Sequence, residues 1–291
     1  MIGNLVRIRY VQPMLFGKDQ LIQPIWNYPV VAFDTETSGA FPVESEIIEL
    51  GAVKWHNGQV IDKFQTLLRP SRSLTPENIR IHGITNEMVA TAPLMKDEII
   101  KFCDFIDGSV LIAHHAPFDL GFVTLAIEKA QLRMPTTLNF CSSLLSRALL
   151  NTTNHKLQTL IKELSLIGGE AHRAYDDAYA CFQVLQKCLE KIEPDHSLQR
   201  LLAIQSKDLS WNNYLVYSSG NQKILNLAKA MESQRTIGIV YEGGQTKNQT
   251  RPIKPFGIVR NPDGDYIQAE CGLDLQRKRF YLDKIKEIEI F

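Results

Sequence analysis

Short apolar runs alternate with amphipathic stretches along the first two thirds of the chain. Strand-like runs lie at 30–33, 47–55, 59–70 and 110–114. The second and third are separated only by a His-Asn-Gly turn at 56–58, which predicts a hairpin. Apolar positions at helical spacing lie within 95–106, 118–130, 157–166 and 174–192. A hairpin followed by strands that alternate with helices predicts an α/β fold, a mixed sheet flanked by helices.

The pattern changes after Pro194, which is expected to close this first domain, 29–194. Residues 195–221 are polar and irregular, which predicts a linker. The remainder, 222–291, predicts a helix over 222–233 and then a small β-rich module. Its first strands form a hairpin with a turn at Gly243 and Gly244, and further strands are expected at 265–271 and 277–291. Residues 1–28, interrupted by prolines, are interpreted as an extension that packs on the first domain.

Composition narrows the class of protein only a little. Apolar residues make up 44% of the chain and charged residues 22%, which is typical of a globular protein. The formal net charge of +0 indicates no global attraction for polyanions, although an acidic site can cancel basic grooves elsewhere. Five scattered cysteines predict reduced thiols, and the sequence has no signal-like or membrane-length apolar run. We therefore expect a cytoplasmic protein without a membrane partner.

The first candidate chemistry follows the apolar run at 30–33. Asp34 and Glu36 are separated by one residue, so on a strand their side chains project to the same side. Adjacent carboxylates repel each other, and they are tolerated where a divalent cation such as Mg²⁺ or Mn²⁺ neutralises them. A solvated acidic strand end is the alternative that this pair alone leaves open.

A second carboxylate follows the run at 110–114. Pro117 suits the first turn of a helix, which places Asp119 in that same turn. The helix dipole favours a carboxylate at this position. Asp119 is therefore explained by helix capping as well as by metal binding.

The third motif opens the helix predicted over 174–192. Helical spacing puts Asp177 on the apolar side of this helix and Asp176 on the wetter side. A buried aspartate needs a partner because an unpaired buried charge is costly, and a metal ion would supply one. His172 lies in the preceding loop and is either a general base or an ordinary surface histidine.

Taken together and in this order, the three motifs resemble the DnaQ-like 3′→5′ exonucleases with the DEDDh signature, a family that includes the proofreading epsilon subunit of bacterial DNA polymerase III. The resemblance covers about residues 28–192. It extends to three connecting segments: Ile-Glu-Leu-Gly-Ala at 48–52, His-Gly-Ile-Thr at 82–85 and His-Lys-Leu at 155–157.

The resemblance implies a ribonuclease H-like fold and a site with two Mg²⁺ or Mn²⁺ ions. The implied metal ligands are Asp34, Glu36, Asp119 and Asp177. His172 would deprotonate the attacking water, and 5′-mononucleotides would leave the 3′ end of DNA or RNA, more readily from single strands. The implied substrate contacts are Thr37, Ser38, Gly39, His114 and Phe118.

Two positions depart from the family pattern. His115 stands where the second motif usually has asparagine, and Cys141-Ser142-Ser143 stands where many relatives carry an Asp-Thr pair. Neither position belongs to the implied ligand set. The resemblance therefore still predicts an active enzyme.

The C-terminal module resembles the WYL domain, although Asp265-Tyr266-Ile267 stands where Trp-Tyr-Leu is expected. The segments that carry the resemblance are 251–258, 265–269 and 279–285. It implies an Sm-like β-barrel that binds nucleic acid or nucleotide ligands, with contacts from Arg251 and Arg279. Arg277, Lys278 and Arg279, beside Phe280 and Tyr281, fit phosphate contacts with aromatic stacking on bases, and they fit a solvated basic turn equally well.

The sequence thus predicts a metal-dependent 3′→5′ exonuclease with a tethered module that binds or senses nucleic acid. Two alternatives remain open at this point. One is a ligand-responsive regulatory protein whose nuclease domain mainly binds strand ends. The other is a metal-dependent phosphoesterase that acts on small nucleotides.

Overall fold

The computed structural model describes residues 16–243 and 249–290 of the chain. Residues 1–15 of the predicted N-terminal extension lie outside the described residues, as does Gly244 of the predicted hairpin turn. For the rest of the extension, the predicted packing on the first domain is confirmed. Ile25 is fully buried in the same apolar cluster as Val30 and Phe182, and the Trp26 and Trp55 rings lie 4.8 Å apart.

A mixed sheet forms the centre of the first domain, as predicted. Its strands, among the described residues, are β1 (Val30–Thr37), β2 (Ile47–His56), β3 (Gln59–Leu67), β4 (Val110–Ala113) and β5 (Asn139–Cys141). Their order is β3-β2-β1-β4-β5. β2 is antiparallel to β1 and β3, whereas β4 is parallel to β1 and β5. Asn57 and Gly58 join β2 to β3 with φ angles of 49° and 82°, which suits a tight hairpin turn.

Helices cover both faces of this sheet. They are α1 (Lys18–Leu21), α2 (Pro76–His82), α3 (Asn86–Val89), α4 (Met95–Ile106), α5 (Pro117–Lys129), α6 (Ser142–Leu149), α7 (Leu157–Glu163), α8 (Ala174–Leu189) and α9 (Leu198–Gln205). α4 and α5 pack with Val31 and Phe33 on one face, and α8 packs with Val30 and Ala32 on the other. In the part of the chain that the structure describes, none of the helices is both long and apolar enough to cross a bilayer.

The expectation of an irregular, polar linker over 195–221 is wrong. This segment contains α9 and a short 3₁₀ helix, Trp211–Tyr214, and both lie against the first domain. Leu198 and Leu201 are fully buried, and Trp211 is 2% exposed. These few apolar residues at helical spacing are enough to order the segment, although most of its residues are polar. The boundaries of the domains themselves stay a prediction.

A second sheet follows α10 (Gln222–Glu232). Its strands, in the described residues, are β6 (Ile237–Tyr241), β7 (Thr250–Val259), β8 (Tyr266–Cys271), β9 (Arg277–Tyr281) and β10 (Ile285–Ile290). They are antiparallel in the order β10-β6-β7-β8-β9. The predicted β-rich module and its first hairpin are confirmed. A closed Sm-like barrel is not confirmed, because β9 and β10 form two edges that are not paired with each other among the described residues.

Gly51 on β2 determines how closely α8 approaches the sheet. A Cβ atom at this position would lie 2.2 Å from the Tyr175 backbone nitrogen and 2.3 Å from the Ala174 carbonyl carbon. Both atoms belong to helix backbone, which cannot move aside as a flexible side chain can. Only glycine therefore allows the first turn of α8 to lie directly against β2.

We predict that Gly51→Ala lowers the free energy of unfolding by about 1–3 kcal/mol, because overpacking forces a backbone shift. The measurement is urea unfolding followed by circular dichroism. The matched control is Gly121→Ala on α5, where a Cβ would make an ordinary contact at 3.4 Å with Pro42. Equal stability of the two variants would contradict the role given to Gly51.

Candidate active site

The alternation of side chains along β1 directs its acidic residues towards α8. Ala32 packs on the α8 side of the sheet, so Asp34 and Glu36 follow it on that side. The paired register of β1 with β4 ends at Ala32 and Ile112. The end of β1 therefore extends past its parallel neighbour. Glu36 is only 8% exposed, which excludes the alternative of a solvated strand end.

Asp119 reaches this end of β1 from the opposite face of the sheet. α5 begins at Pro117, as predicted, and Asp119 in its first turn is 2% exposed. Its Oδ1 accepts hydrogen bonds from the Thr35 backbone N–H at 3.0 Å and from the Thr35 hydroxyl at 2.8 Å. Thr35 lies between the two acidic residues of β1. Asp119 thus ties α5 to the acidic strand end and is more than a solvent-exposed helix cap.

Asp177 approaches from α8. It is 8% exposed and accepts hydrogen bonds from the Gln158 side-chain amide and the His172 backbone N–H, each at 3.2 Å. Its neighbour Asp176 turns away and accepts from the Glu170 backbone N–H at 2.9 Å. The prediction that Asp177 occupies the buried side of the helix is confirmed.

Four carboxylates and one histidine converge here. Glu36, His172 and Asp177 each present a ligand atom, and these atoms all lie within 4.8 Å of one another. Burial, together with the charges of Asp119, Glu36 and Asp177, raises the pKa of Asp34 well above its ordinary value. Burial and then the neighbouring acidic groups raise the pKa of Glu36 to about 8.

Opposing effects act on the pKa of Asp119. Burial raises it to about 7, even though the two hydrogen bonds from Thr35 stabilise the ionised form. Crowded carboxylates of this kind are neutralised by a bound divalent cation, and their hard oxygen atoms suit Mg²⁺ or Mn²⁺. The residues present therefore fit the metal site that the motifs predict.

A buried ion pair holds α8 in place beside this site, and the sequence motifs did not single it out. Glu49 on β2 is fully buried and faces Glu36 across the strand pair. Arg173 donates to its carboxylate at 2.8 and 3.1 Å, and the Ala174 backbone N–H donates at 3.1 Å. A glutamate within an otherwise apolar strand was the available signal, since a buried charge requires a partner.

His114 and His115 have different surroundings. The two ring nitrogens of His114 lie 2.8 Å from the Ser142 hydroxyl and 3.0 Å from the His155 carbonyl, and burial lowers its pKa to about 4. His114 therefore joins β4 to α6 and its following loop, and its assignment as a substrate contact stays a prediction. Ser142, at the position of the second departure from the family pattern, has a packing role as the partner of His114.

The backbone conformation of His115 explains why histidine can stand where the family usually has asparagine. Its φ of 63° lies in the left-handed region, where asparagine and histidine are both enriched among residues other than glycine. Histidine can therefore replace asparagine at this position without changing the backbone.

The predicted nucleotide contacts Thr37, Ser38 and Gly39 lie at the start of a loop that is held by its own hydrogen bonds. Thr37 donates to the Gly39 carbonyl at 2.8 Å, and the Ser38 backbone N–H donates to the Glu46 carbonyl at 2.9 Å. The Phe118 ring packs on the ring of Phe122, one turn further along the same helix, α5. The structure thus places Thr37, Ser38 and Gly39 directly after the acidic strand end, while their contact with substrate stays a prediction.

The predicted ligand contacts of the C-terminal module are divided between two faces of its sheet. Arg277 and Arg279 are exposed. Arg251 is 8% exposed with its guanidinium 5.6 Å from the Phe280 ring, and Lys278 pairs with Asp274. Phe280 is 2% exposed, so the expectation that it stacks on bases is wrong. Side chains alternate along β9, which separates Lys278 and Phe280 from the two exposed arginines.

Comparison with known families divides the chain into the same two parts as the two sheets do. A family model described as exonuclease matches residues 31–185, and the WYL domain model matches residues 222–290. A DNA polymerase III of the PolC type from Thermotoga petrophila is 34% identical over 168 residues, which is 57% of this chain but 12% of that protein.

Two further similarities extend past the first domain. A provisionally named bifunctional exonuclease/endonuclease protein of Mycobacterium tuberculosis is 34% identical over 259 residues, covering 85% of this chain and 36% of that protein. Among solved structures, E. coli exonuclease I in complex with a dA16 oligonucleotide is similar with a TM-score of 0.51 and 15% identity, covering 83% of this chain and 55% of that one. This last similarity shows the fold alone.

We predict that the metal-free protein loses stability as the pH rises. Glu36 and Asp119 have folded-state pKa values raised from 4.5 to about 8 and from 3.8 to about 7. Their protonated forms therefore stabilise the fold below about pH 4, and this contribution is lost as the pH passes through 7 and 8. Urea unfolding in EDTA is expected to show that the free energy of unfolding falls by about 2–3 kcal/mol between about pH 4 and about pH 8, the scale for one strongly shifted carboxyl.

Glu36→Gln should remove much of this pH dependence, whereas the neighbouring Asp176→Asn should leave it as in the wild type. Mn²⁺ or Mg²⁺ should raise the melting temperature more at pH 8 than at pH 5.5, because the ligands must be deprotonated to bind. A Glu36→Gln variant with the pH dependence of the wild type would contradict the assignment.

Arg173→Met is expected to destabilise the protein by about 3 kcal/mol, because it leaves the buried Glu49 carboxylate without its cation. The double variant Glu49→Gln/Arg173→Met should recover part of this loss. Both values follow from urea unfolding at one pH. If the two substitutions acted independently, the double variant would be less stable than Arg173→Met by the full effect that Glu49→Gln has alone. That result would contradict the role given to the ion pair.

Proposed function

We propose, since the chain belongs to the exonuclease family and carries a WYL domain, that it is a divalent-metal-dependent 3′→5′ exonuclease of the DEDDh type. The observation that carries this proposal is the convergence of Asp34, Glu36, Asp119 and Asp177 with His172 at the end of β1. The structural support is specific to this chain. Three separate elements bring the carboxylates together, and burial makes them costly without a cation.

In the proposed reaction, Asp34, Glu36, Asp119 and Asp177 hold two Mg²⁺ or Mn²⁺ ions. When bound, the two ions stabilise the attacking and leaving oxygens of an in-line displacement at phosphorus. His172 accepts a proton from the attacking water. Its exposed position, with a ligand atom within 4.8 Å of those of Glu36 and Asp177, lets the ring exchange that proton with solvent.

The His172 backbone N–H also donates to Asp177. This hydrogen bond orients the loop that carries the histidine relative to the acidic cluster. Thr37, Ser38 and Gly39, directly after the acidic strand end, line the pocket for the 3′-terminal nucleotide. The product is a 5′-mononucleotide.

The proposed substrate is DNA or RNA with a free 3′ end, and single strands are preferred. The relatives of the PolC type that match the first domain are DNA polymerases, which favours DNA as the first substrate to test. The chain spans about an eighth of the length of the PolC-type relatives it matches, so their complete activities do not transfer to it. A cytoplasmic location stays part of the proposal.

The proposal predicts that a 5′-labelled single strand is shortened from its 3′ end one nucleotide at a time with Mg²⁺ or Mn²⁺. EDTA should abolish the activity, and so should Asp34→Asn with Glu36→Gln. His172→Ala should lower kcat by about 10²–10⁴-fold, the range for loss of a general base. Asp176→Asn is the matched control, because this aspartate lies one residue from Asp177 but outside the acidic cluster.

The same assay separates the proposal from its two alternatives. Binding of strands without cleavage by folded protein would favour a regulatory nucleic-acid-binding protein. Hydrolysis of small nucleotides alone would favour a phosphoesterase. Both outcomes would overturn the exonuclease proposal.

A further inference from the structure

The C-terminal sheet presents a surface of arginine and aromatic side chains on the side away from α10. Alternation along β8 and β9 buries Ile267, Ala269 and Phe280 against α10. The opposite side carries Phe256 of β7, Tyr266 of β8, and Arg277, Arg279 and Tyr281 of β9. We call these five residues the outer face.

The two arginines of the outer face lie over aromatic rings. The Arg279 guanidinium is 4.1 Å from the centre of the Tyr266 ring, and the Arg277 guanidinium is 5.2 Å from the centre of the Phe256 ring. Within the described residues, neither arginine forms an ion pair, although Glu270 of β8 lies opposite Arg277 in the strand register. The stacking holds the guanidinium groups in place without neutralising their charge. Fixed positive charge beside aromatic rings is the chemistry that binds single-stranded nucleic acid.

The outer face is continuous with the loop that follows the acidic end of β1. The Phe41 ring lies 5.8 Å from the Phe256 ring, in an edge-to-face arrangement. A Cβ atom on Gly257 would lie 2.5 Å from the Phe41 ring, so the absence of a side chain there allows the contact. Phe41 is only two residues from Gly39, which the proposed function places in the terminal-nucleotide pocket.

The two domains also contact each other beyond this loop. Leu125 of α5 belongs to the same apolar cluster as Ile258 of β7. On the far side of the contact, Glu128 of α5 accepts hydrogen bonds from the Val216 and Ser218 backbone N–H groups at 2.9 and 2.7 Å. The outer face is therefore held at a defined position relative to the acidic cluster.

We propose that the outer face is the second part of one continuous binding surface. A single strand of DNA or RNA whose 3′ end occupies the exonuclease site passes Phe41 and continues over Phe256, Tyr266, Arg277 and Arg279. This inference rests on the proposed function for the location of the 3′ end. It assigns the C-terminal module a direct part in substrate binding, and it predicts that affinity rises with strand length.

The test compares strands of about four and about 20 nucleotides, because single-strand-binding modules such as the OB fold contact roughly 4–16 nucleotides each. Arg277→Ala/Arg279→Ala should weaken binding of the longer strand in EDTA by about tenfold or more, measured by fluorescence anisotropy. The slope of log affinity against log salt should become shallower by about 1.4, the value for two lost phosphate contacts on a single strand. The loss in kcat/KM should be much larger for the longer strand than for the shorter one.

The matched control is Lys229→Ala/Arg235→Ala, which removes the same charge from exposed positions on the α10 side of the same module. A general electrostatic effect would weaken binding equally in both double variants and would overturn the proposal. Unchanged binding of the longer strand by Arg277→Ala/Arg279→Ala would overturn it as well. That outcome would favour another partner, such as a protein, for the outer face.

Photocrosslinking locates the strand directly. Strands that carry 5-iodouracil at one internal position should crosslink to Tyr266 or Tyr281, while 5-iodouracil at the 3′ end should crosslink to the first domain. Crosslinks confined to the first domain at every position would overturn the proposal. The binding experiments need no hydrolysis, so failure of the exonuclease assay with intact, length-dependent binding would count against the proposed function alone.

Discussion

The close approach of α8 to β2 is the constraint on which the acidic cluster depends. Gly51 lets the helix backbone lie directly against the strand, and the buried Glu49–Arg173 ion pair holds it there. Without this contact Asp177 and His172 would not reach the acidic end of β1. Breaking a buried ion pair is strongly destabilising, because one charge remains buried without its partner. The geometry of the site is therefore enforced by interactions that take no part in the proposed chemistry.

The cluster itself opposes folding. Burial raises the pKa values of Asp34, Glu36, Asp119 and Asp177, and repulsion within the cluster adds to this for the first three. Their ionised forms therefore destabilise the metal-free protein. The two core clusters on either side of the sheet supply the compensating stability. At a pH where its carboxyls are ionised, such a site stabilises the fold only when a cation is bound, so metal affinity and folding stability are linked.

The segment between the two domains joins them as a packed structure. Trp211 and Tyr214 belong to the core of the first domain, and Arg260, directly after β7, pairs with Asp265 and donates to the Leu215 carbonyl. Together with the contact between Phe41 and Gly257, these interactions place the C-terminal sheet beside the loop after the acidic strand. The module is thus positioned to take part in whatever the first domain binds.

The sequence by itself determined most of the elements and, through a family resemblance, pointed to the acidic site. Apolar periodicity predicted the mixed sheet, the hairpin at 56–58 and the buried side of α8, because alternation and helical spacing are local properties. The resemblance carried by the spaced motifs implied which carboxylates lie together. The sequence did not show that α9 orders residues 195–221, that Glu49 pairs with Arg173, or that Arg251 and Phe280 are buried while Arg277 and Arg279 are exposed. Those outcomes depend on contacts between residues far apart in the chain, and only the tertiary structure decides which face of a short strand or helix finds a partner.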